Sequence, residues 1–257
     1  MTRTFLHQDI AGGRWIPPWL RYQQSTRYSW VTSFTNNKRV LEVGCGGGAG
    51  CNEILSAGAS EVTGVDVDRE AVLFAQERFD SPHMKFDVVQ DSKLPAPDAS
   101  FDVVIALETI EHVEDDRPFV EELARVLRSG GTLLLSTPNR LITNPGTTIT
   151  DRPVNPLHVR EYTKQELGEL LPDSFEPPEW YGQTFCSRWL TAVLTTIGKR
   201  ASSVAVRMRQ AVRVVLSPLD SLKRHQPRAW ITGREPEVLV LKCRKRDDDA
   251  KGGPEDG

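Results

Sequence analysis

The feature that most constrains the fold is a regular alternation of short apolar runs and amphipathic stretches between residues 38 and 139. Five runs have the length and composition of buried strands: KRVLEVGC, EVTGVDVD, MKFDVVQ, SFDVVIALE and GTLLLSTPN. Three intervening stretches carry apolar residues at helical spacing: CNEILSAGA, REAVLFAQERF and RPFVEELARVLRSGG, the last with Gly130 where a helix is expected to end. This rhythm predicts a parallel sheet with helices on both faces. EPEVLVLKCRK predicts one further, late strand.

Composition limits the classes of protein that fit this pattern. A chain of 257 residues is long enough for one large domain or for a domain with an insertion, and its net charge of −3 argues against nucleic acid as the main partner. The four cysteines have neither zinc-site nor disulfide spacing, which favours a reducing, cytoplasmic setting. No apolar run approaches the roughly 18 residues that span a bilayer, and the N-terminal stretch lacks the apolar core of a signal peptide.

The predicted organisation has five parts: an N-terminal helical cap (1–37), a core (38–183), a basic helical insertion or lid (184–230), a last strand (231–246) and a disordered tail (247–257). Residues 186–229 contain nine Lys or Arg and one acid, Asp220. This insertion is predicted either to pack on the core as a cap or to meet an anionic substrate or a membrane surface.

The stretch LEVGCGGGAG follows the first predicted strand and opens the first helix. Gly44 and Gly46 allow a tight turn, and their missing side chains leave room for a ligand. Asp66 ends the next strand, where a carboxylate can accept hydrogen bonds from two ribose hydroxyls. The combination predicts an adenosine-containing ligand, and both NAD and S-adenosylmethionine have one.

Three features separate these two ligands: the acid in E-x-G-C-G-G-G, Glu42; the acid in VVQDSKLP, Asp91; and the close spacing of SFDVVIALE. Together they resemble the motif series of class I S-adenosylmethionine-dependent methyltransferases, over residues 27–183 and the last strand. The resemblance implies an α/β, Rossmann-like sheet of seven strands. It is mostly parallel, with an antiparallel last strand and a helical insertion before that strand.

The resemblance also implies cofactor contacts. Gly44 and Gly46 line the methionine part, Glu42 supports its ammonium group, and Asp66 holds the ribose. Asp91 and Ser92 approach the adenine amino group, and Leu107 lies near the sulfonium. Arg27, in an Arg-Tyr pair before the glycine loop, faces the cofactor carboxylate or caps the site; the alternative is an exposed helix residue.

The stretch ETIEHVEDD follows the fourth strand at the same edge of the sheet. Glu108, Glu111 and His112 form an E-x-x-E-H pattern similar to that of ubiquinone-pathway O-methyltransferases, where the equivalent positions are associated with Mg²⁺. Three interpretations stay open for this pattern: a metal site, a general base at His112, or structural support of the loop. The acids 114–116 are predicted to be solvated residues at a helix start.

A second stretch, NPLHVREYT, resembles a segment that lies over the active-site mouth in bacterial small-molecule methyltransferases. His158 is a second candidate base, and Arg160 is a candidate contact for an anionic substrate group. The alternative is that His158, Arg160 and Glu161 fix the loop through hydrogen bonds and an ion pair.

These patterns predict methyl transfer from S-adenosylmethionine to a hydroxyl of a small molecule: a sugar, a glycosylated compound or a phenolic metabolite. The basic insertion departs from the ubiquinone-type plan, which argues against a quinone acceptor. The alternatives are an NAD-dependent oxidoreductase and a non-catalytic cofactor-binding subunit.

Overall fold

The computed structural model describes residues 18–90, 93–187 and 226–247, without the side chains of 18–21 and 186–187. Most of the predicted basic insertion, the predicted tail beyond residue 247, and both Asp91 and Ser92 therefore lie outside the described residues. Within the described part, no helix is long and apolar enough to cross a membrane.

The secondary structure alternates as the sequence predicts. The helices are α1 Pro18–Val31, α2 Ala49–Ser56, α3 Arg69–Arg78, α4 Asp116–Val126, α5 Arg140–Thr143 and α6 Lys164–Glu169, with 3-10 turns at Thr32–Phe34 and Ile110–His112. The strands are β1 Arg39–Val43, β2 Glu61–Asp66, β3 Met84–Val88, β4 Phe101–Leu107, β5 Leu127–Pro138, β6 Glu179–Ser187, β7 Arg228–Ala229 and β8 Arg234–Arg244.

All these strands form one sheet in the order β3-β2-β1-β4-β5-β8-β6-β7. The pairs among β1 to β5 are parallel, whereas β8 is antiparallel to both β5 and β6. The predicted mostly parallel sheet with an antiparallel last strand is confirmed. The described sheet has eight strands rather than seven, because the two-residue β7 pairs with β6.

The predicted position of the end of the third helix is wrong. Helix α4 stops at Val126 and β5 begins at Leu127, so Gly130 lies within a strand rather than at a helix end. The backbone N–H of Gly130 donates to the Lys245 carbonyl at 3.0 Å, and the Lys245 N–H donates to the Gly131 carbonyl at 2.9 Å. Pairing with Lys245, the residue that follows β8, therefore replaces the helical hydrogen bonds of this segment.

The core lies on both faces of the sheet because successive strand residues point to opposite sides. Along β1, Val40 packs with residues of α1, α2 and α3, whereas Leu41 packs with residues of α4 and α6. Both side chains are fully buried, and burial of each such side chain contributes roughly 1.5–3 kcal/mol.

The strand order reverses between β1 and β4, which are neighbours in the sheet although β2 and β3 separate them in the chain. In open α/β sheets, ligands bind at the carboxyl ends of the strands beside such a reversal. The loops after β1, β2, β4 and β5 all open at this edge, and they carry most of the predicted site residues.

Candidate active site

The glycine loop is joined to the end of β2 by its backbone. The N–H groups of Gly44 and Cys45 donate to the Val65 carbonyl at 2.8 and 3.1 Å. The Gly46 N–H donates to Asp66 Oδ2 at 2.8 Å, and the Asp68 N–H donates to Asp66 Oδ1 at 2.9 Å. Each carboxylate oxygen of Asp66 therefore has a fixed direction and capacity for a further donor.

Gly44 and Gly46 make the predicted turn, with φ values of +79° and +50°. The space at Gly44, however, is taken by the protein and not left for a ligand. A Cβ at Gly44 would lie 2.6 Å from Thr109 Oγ1, which donates to the carbonyls of Val43 and Leu107 at 3.1 Å. Gly44 thus allows the loop after β4 to close against the loop after β1.

Glu42 is buried, and both of its carboxylate oxygens have partners inside the protein. Tyr28 Oη donates to Oε1 at 2.5 Å, and Cys51 Sγ donates to Oε2 at 3.0 Å. Burial raises the pKa of Glu42 from 4.5 to about 7, although both hydrogen bonds oppose this shift. The Tyr28 ring lies so close to Gly50 that a Cβ there would be 2.4 Å from it. Glu42 therefore connects α1 and α2 to β1.

Arg27 is a buried residue of α1, 2% exposed, and not the exposed helix residue of the alternative prediction. Its Nη1 lies 2.5 Å from Glu108 Oε1 and 3.1 Å from Ser136 Oγ. Ser136 Oγ in turn donates to Glu108 Oε1 at 2.8 Å. Arg27 thus joins α1 to the ends of β4 and β5, next to Leu107, the last residue of β4 and 6% exposed.

His112 lies in the 3-10 turn after β4 and has two different nitrogens. Nδ1 is 3.0 Å from the Leu157 carbonyl, which can only accept, so Nδ1 carries the proton. Nε2 is buried and has no hydrogen-bond partner among the described residues. Burial lowers the pKa of His112, so the ring is neutral at pH 7 and Nε2 is a free acceptor.

Glu111 is fully buried beside His112. Its Oε2 accepts from Thr137 Oγ1 at 3.0 Å, while Oε1 has no partner among the described residues. Burial, followed by the nearby Glu108 charge, raises the pKa of Glu111 well above its ordinary value. The backbone carbonyl of Glu111 accepts from the Val159 N–H at 2.8 Å, which holds the NPLHVREYT segment against the turn.

His158 lies beside His112, with ring centroids 5.0 Å apart and nearly perpendicular planes. The Leu157 N–H donates to Asn155 Oδ1 at 3.1 Å, so Asn155 Nδ2 faces His158 Nε2 at 2.8 Å as a donor. His158 Nδ1 then donates to Glu161 Oε1 at 2.6 Å. Both nitrogens of His158 therefore have partners, whereas only Nδ1 of His112 has one among the described residues.

Arg160 is paired with Asp116, which also accepts from Tyr162 Oη at 3.0 Å. Glu161 is buried and accepts from His158, from Thr143 Oγ1 and from Asn144 Nδ2. These contacts match the alternative in which this segment is fixed by hydrogen bonds and an ion pair. Of the acids predicted to be solvated, 114 and 115 are exposed, whereas the Asp116 side chain is 17% exposed.

The structure gathers the two candidate bases, His112 and His158, with Glu111, so two of the three predicted metal ligands belong to this group. Glu111, His112 and His158 each offer one atom, and these three atoms lie within 4.8 Å of one another. Glu108 is instead held by Arg27 and Ser136. The gathered set does not fit Mg²⁺, which prefers octahedral oxygen ligands, because two of its three ligand atoms are imidazole nitrogens.

Sequence reasoning missed several residues of this edge. Thr109 and Thr137 support the loop after β4, and Asn155 orients His158. Val67 is an apolar side chain that is 61% exposed directly after Asp66. Val67 stands between two acids at a strand end, and this sequence pattern could have identified it. The partners of Thr109 and Thr137 depend on the tertiary structure and carry no such signal.

Residues 41–135, from β1 to β5, match the profile of a methyltransferase domain family. That match covers the glycine loop, Asp66 and the turn that contains His112. The chain contains a class I S-adenosylmethionine-dependent methyltransferase domain.

Known proteins similar to this methyltransferase domain support the same family. A probable S-adenosylmethionine-dependent methyltransferase of Mycobacterium tuberculosis is 39% identical over 171 residues, 64% of this chain and 60% of that protein. The match thus spans less than two thirds of the relative's length. A ubiquinone biosynthesis O-methyltransferase of Maricaulis maris is 35% identical over 105 residues, 40% of this chain and 41% of its own.

The fold of the methyltransferase domain is shared with solved structures. An S-adenosylmethionine-dependent methyltransferase from Mesorhizobium loti superposes with a TM-score of 0.55. The alignment covers 85% of this chain and 95% of that one at 18% identity, a level that shows the fold alone.

Proposed function

We propose that this chain transfers a methyl group from S-adenosylmethionine to a hydroxyl oxygen of a small molecule, with sugars, glycosylated compounds and phenolic metabolites as preferred acceptors. The observation that carries the proposal is a juxtaposition at one sheet edge. The Asp66-anchored glycine loop and the unpartnered Nε2 of His112 lie at neighbouring strand ends beside the reversal of strand order.

The residues present fit the cofactor. Each oxygen of Asp66 accepts one backbone N–H and keeps a lone pair for a ribose hydroxyl. The exposed Val67 side chain offers an apolar surface beside it for the purine. Leu107 and the Arg27–Glu108 pair are at the end of β4, where the methionine part is expected. The predicted adenine contacts of Asp91 and Ser92 stay predictions.

When bound, S-adenosylmethionine supplies a methyl group on a positively charged sulfur, which already carries the activation. The protein has to orient an acceptor oxygen, exclude water and help remove the hydroxyl proton. Among the described residues at this edge, the cluster of Glu111, His112 and His158 holds ionisable groups suited to that last task. Within it, His112 Nε2 is the nitrogen without a partner.

Oxygen is preferred as the methylated atom for two reasons. A hydroxyl must lose a proton during transfer, which gives a buried neutral imidazole a task. The Maricaulis maris relative is also named as an O-methyltransferase.

We further propose a reducing, cytoplasmic setting, which the free thiols of Cys45, Cys51 and Cys243 support. Contact between residues 184–230 and a membrane surface stays an untested proposal.

A labelled-methyl assay tests the proposal. The full chain is incubated with S-adenosylmethionine carrying a labelled methyl group and with panels of sugars, glycosides and phenols. Label transferred to an acceptor hydroxyl supports the proposal. Label on nitrogen or carbon overturns the choice of oxygen. Binding of the cofactor without transfer to any acceptor favours the non-catalytic subunit.

A further inference from the structure

The cluster of Glu111, His112 and His158 contains polar atoms that the protein itself does not satisfy. Glu111 is 0% exposed, and its Oε1 has no partner among the described residues. His112 Nε2 is likewise buried without one. Buried polar atoms in native proteins are almost always hydrogen-bonded, so two unpaired ones in the same cluster indicate a missing ligand.

Both imidazoles are oriented in the way that metal-binding histidines usually are. His112 Nδ1 donates to the Leu157 carbonyl at 3.0 Å, and His158 Nδ1 donates to the Glu161 carboxylate at 2.6 Å. Such outer partners fix the tautomer and direct Nε2 at the ion. The Asn155 amide now donates to His158 Nε2, and this single neutral hydrogen bond is all that an ion has to replace there.

The spacing and chemistry of the three atoms favour a transition metal. Two ligands of a tetrahedral ion lie about 3.3 Å apart when each bond is about 2.05 Å. One nitrogen of each imidazole and one carboxylate oxygen of Glu111 lie within 4.8 Å of one another, so these atoms have to approach one another by about 1.5 Å at most. Two imidazoles and a carboxylate suit Zn²⁺, Co²⁺, Ni²⁺ or Fe²⁺, and three protein ligands leave a position open.

We propose that Glu111, His112 and His158 bind one divalent transition metal ion. This ligand set differs from the predicted Glu108–Glu111–His112 set because Arg27 and Ser136 engage Glu108. The role of this site in methyl transfer rests on the proposed function, whereas metal binding itself does not. A bound ion with an open position would lower the pKa of an acceptor hydroxyl, and His112 would then assist proton loss as a metal ligand.

Metal binding is measured without any acceptor, which separates this proposal from methyl transfer. The full chain is stripped with a chelator and titrated calorimetrically with Zn²⁺, Co²⁺ and Mg²⁺, and the Co²⁺ complex is followed by its visible absorption. We expect one equivalent of Zn²⁺ or Co²⁺, intense bands typical of four-coordinate Co²⁺, and no comparable affinity for Mg²⁺.

Variants show which residues bind the ion. Glu161→Gln alters an outer hydrogen-bond partner of His158 and should weaken Zn²⁺ binding roughly 10- to 100-fold. Glu111→Gln and His158→Gln remove ligands themselves and should each weaken Zn²⁺ binding at least as much. The matched control is His83→Gln at an exposed histidine, which should bind like the wild type. S-adenosylmethionine titration of each variant reports whether it is folded.

Several results would overturn the proposal. One is a stripped wild-type chain that binds none of these transition metals stoichiometrically. Another is an affinity that Glu111→Gln and His158→Gln leave unchanged. A third is metal binding that is lost in Glu108→Gln but retained in His158→Gln, since this would assign the ion to the other ligand set.

Discussion

At the level of single residues, the two nitrogens of His112 meet different surroundings, and this difference makes its role testable. His112→Gln keeps a polar side chain at this position but removes the basic nitrogen. We expect the turnover number to fall by about 10²-fold or more, because proton removal in the transition state contributes typically 10²–10⁴-fold. Labelled-methyl transfer measures the rate, and calorimetry measures S-adenosylmethionine affinity, which should stay near that of the wild type.

His83→Gln is the matched control, because His83 is exposed and distant in sequence from the site. A rate for His112→Gln within twofold of that of His83→Gln would contradict a role of His112 in the reaction. The rate of His158→Gln is a second comparison. Unlike His112, His158 has a hydrogen-bond partner at each ring nitrogen.

Asp66 is the residue whose change should affect cofactor affinity most directly. Both of its oxygens accept from backbone N–H groups, and an asparagine has only one oxygen to offer. Hydrogen bonds to charged groups contribute about 1.5–3 kcal/mol, so Asp66→Asn should raise the Kd for S-adenosylmethionine about 10- to 100-fold. Calorimetric titration checks this, and an unchanged Kd would remove Asp66 from the cofactor site.

At the level of elements, Arg27 connects α1 to the ends of β4 and β5 through Glu108 and Ser136. Arg27→Met leaves Glu108 without its cation. We expect the free energy of unfolding to fall by about 3 kcal/mol, the lower end for buried pairs, because the Glu108 side chain keeps 16% of its surface exposed. Urea denaturation measures this loss.

The double variant Arg27→Met/Glu108→Gln should lose less stability than the two single variants added together, because the residues are in direct contact. Additive losses, or a loss below about 0.5 kcal/mol in Arg27→Met, would show that this ion pair does not hold α1 in place.

Glu42 joins α1, β1 and α2, and its titration should appear in the pH dependence of stability. Its pKa is raised from 4.5 to about 7, so between these values the native state holds a proton that the unfolded chain has lost. Stability from this group is therefore present below pH 4.5, falls as pH rises and is lost above about pH 7. The difference is about 3 kcal/mol.

The matched comparison is Glu42→Gln, whose amide does not titrate. From pH 5 to pH 8, urea denaturation should show that the wild type loses up to about 3 kcal/mol of stability relative to Glu42→Gln. Parallel stability curves for the two proteins would contradict a raised pKa at Glu42.

Local patterns predicted the elements well where each one is specified by its own residues. The strands and helices around the glycine loop follow from apolar periodicity and from glycines that turn with positive φ. The boundary between α4 and β5 was wrong because it depends on Lys245, at the far end of the chain. The contact of Thr109 with Gly44 also escaped prediction, since no local pattern encodes which side chain fills a glycine's space.

At the level of the whole molecule, the sheet order explains why distant motifs act at one site. The reversal between β1 and β4 brings the glycine loop, Asp66 and His112 to one edge, and strand topology predicted this. The sequence also singled out His112 and His158, but as alternatives. Their contact, with rings 5.0 Å apart, depends on how the segment after β5 folds back, which sequence spacing does not determine.

The central claim is that this sheet edge binds S-adenosylmethionine, and calorimetric titration of the full chain with that cofactor and separately with NAD tests it most directly. We predict one bound equivalent of S-adenosylmethionine, an affinity that Asp66→Asn lowers, and no heat of binding with NAD. Saturable binding of NAD with no response to S-adenosylmethionine would contradict the claim and favour an oxidoreductase.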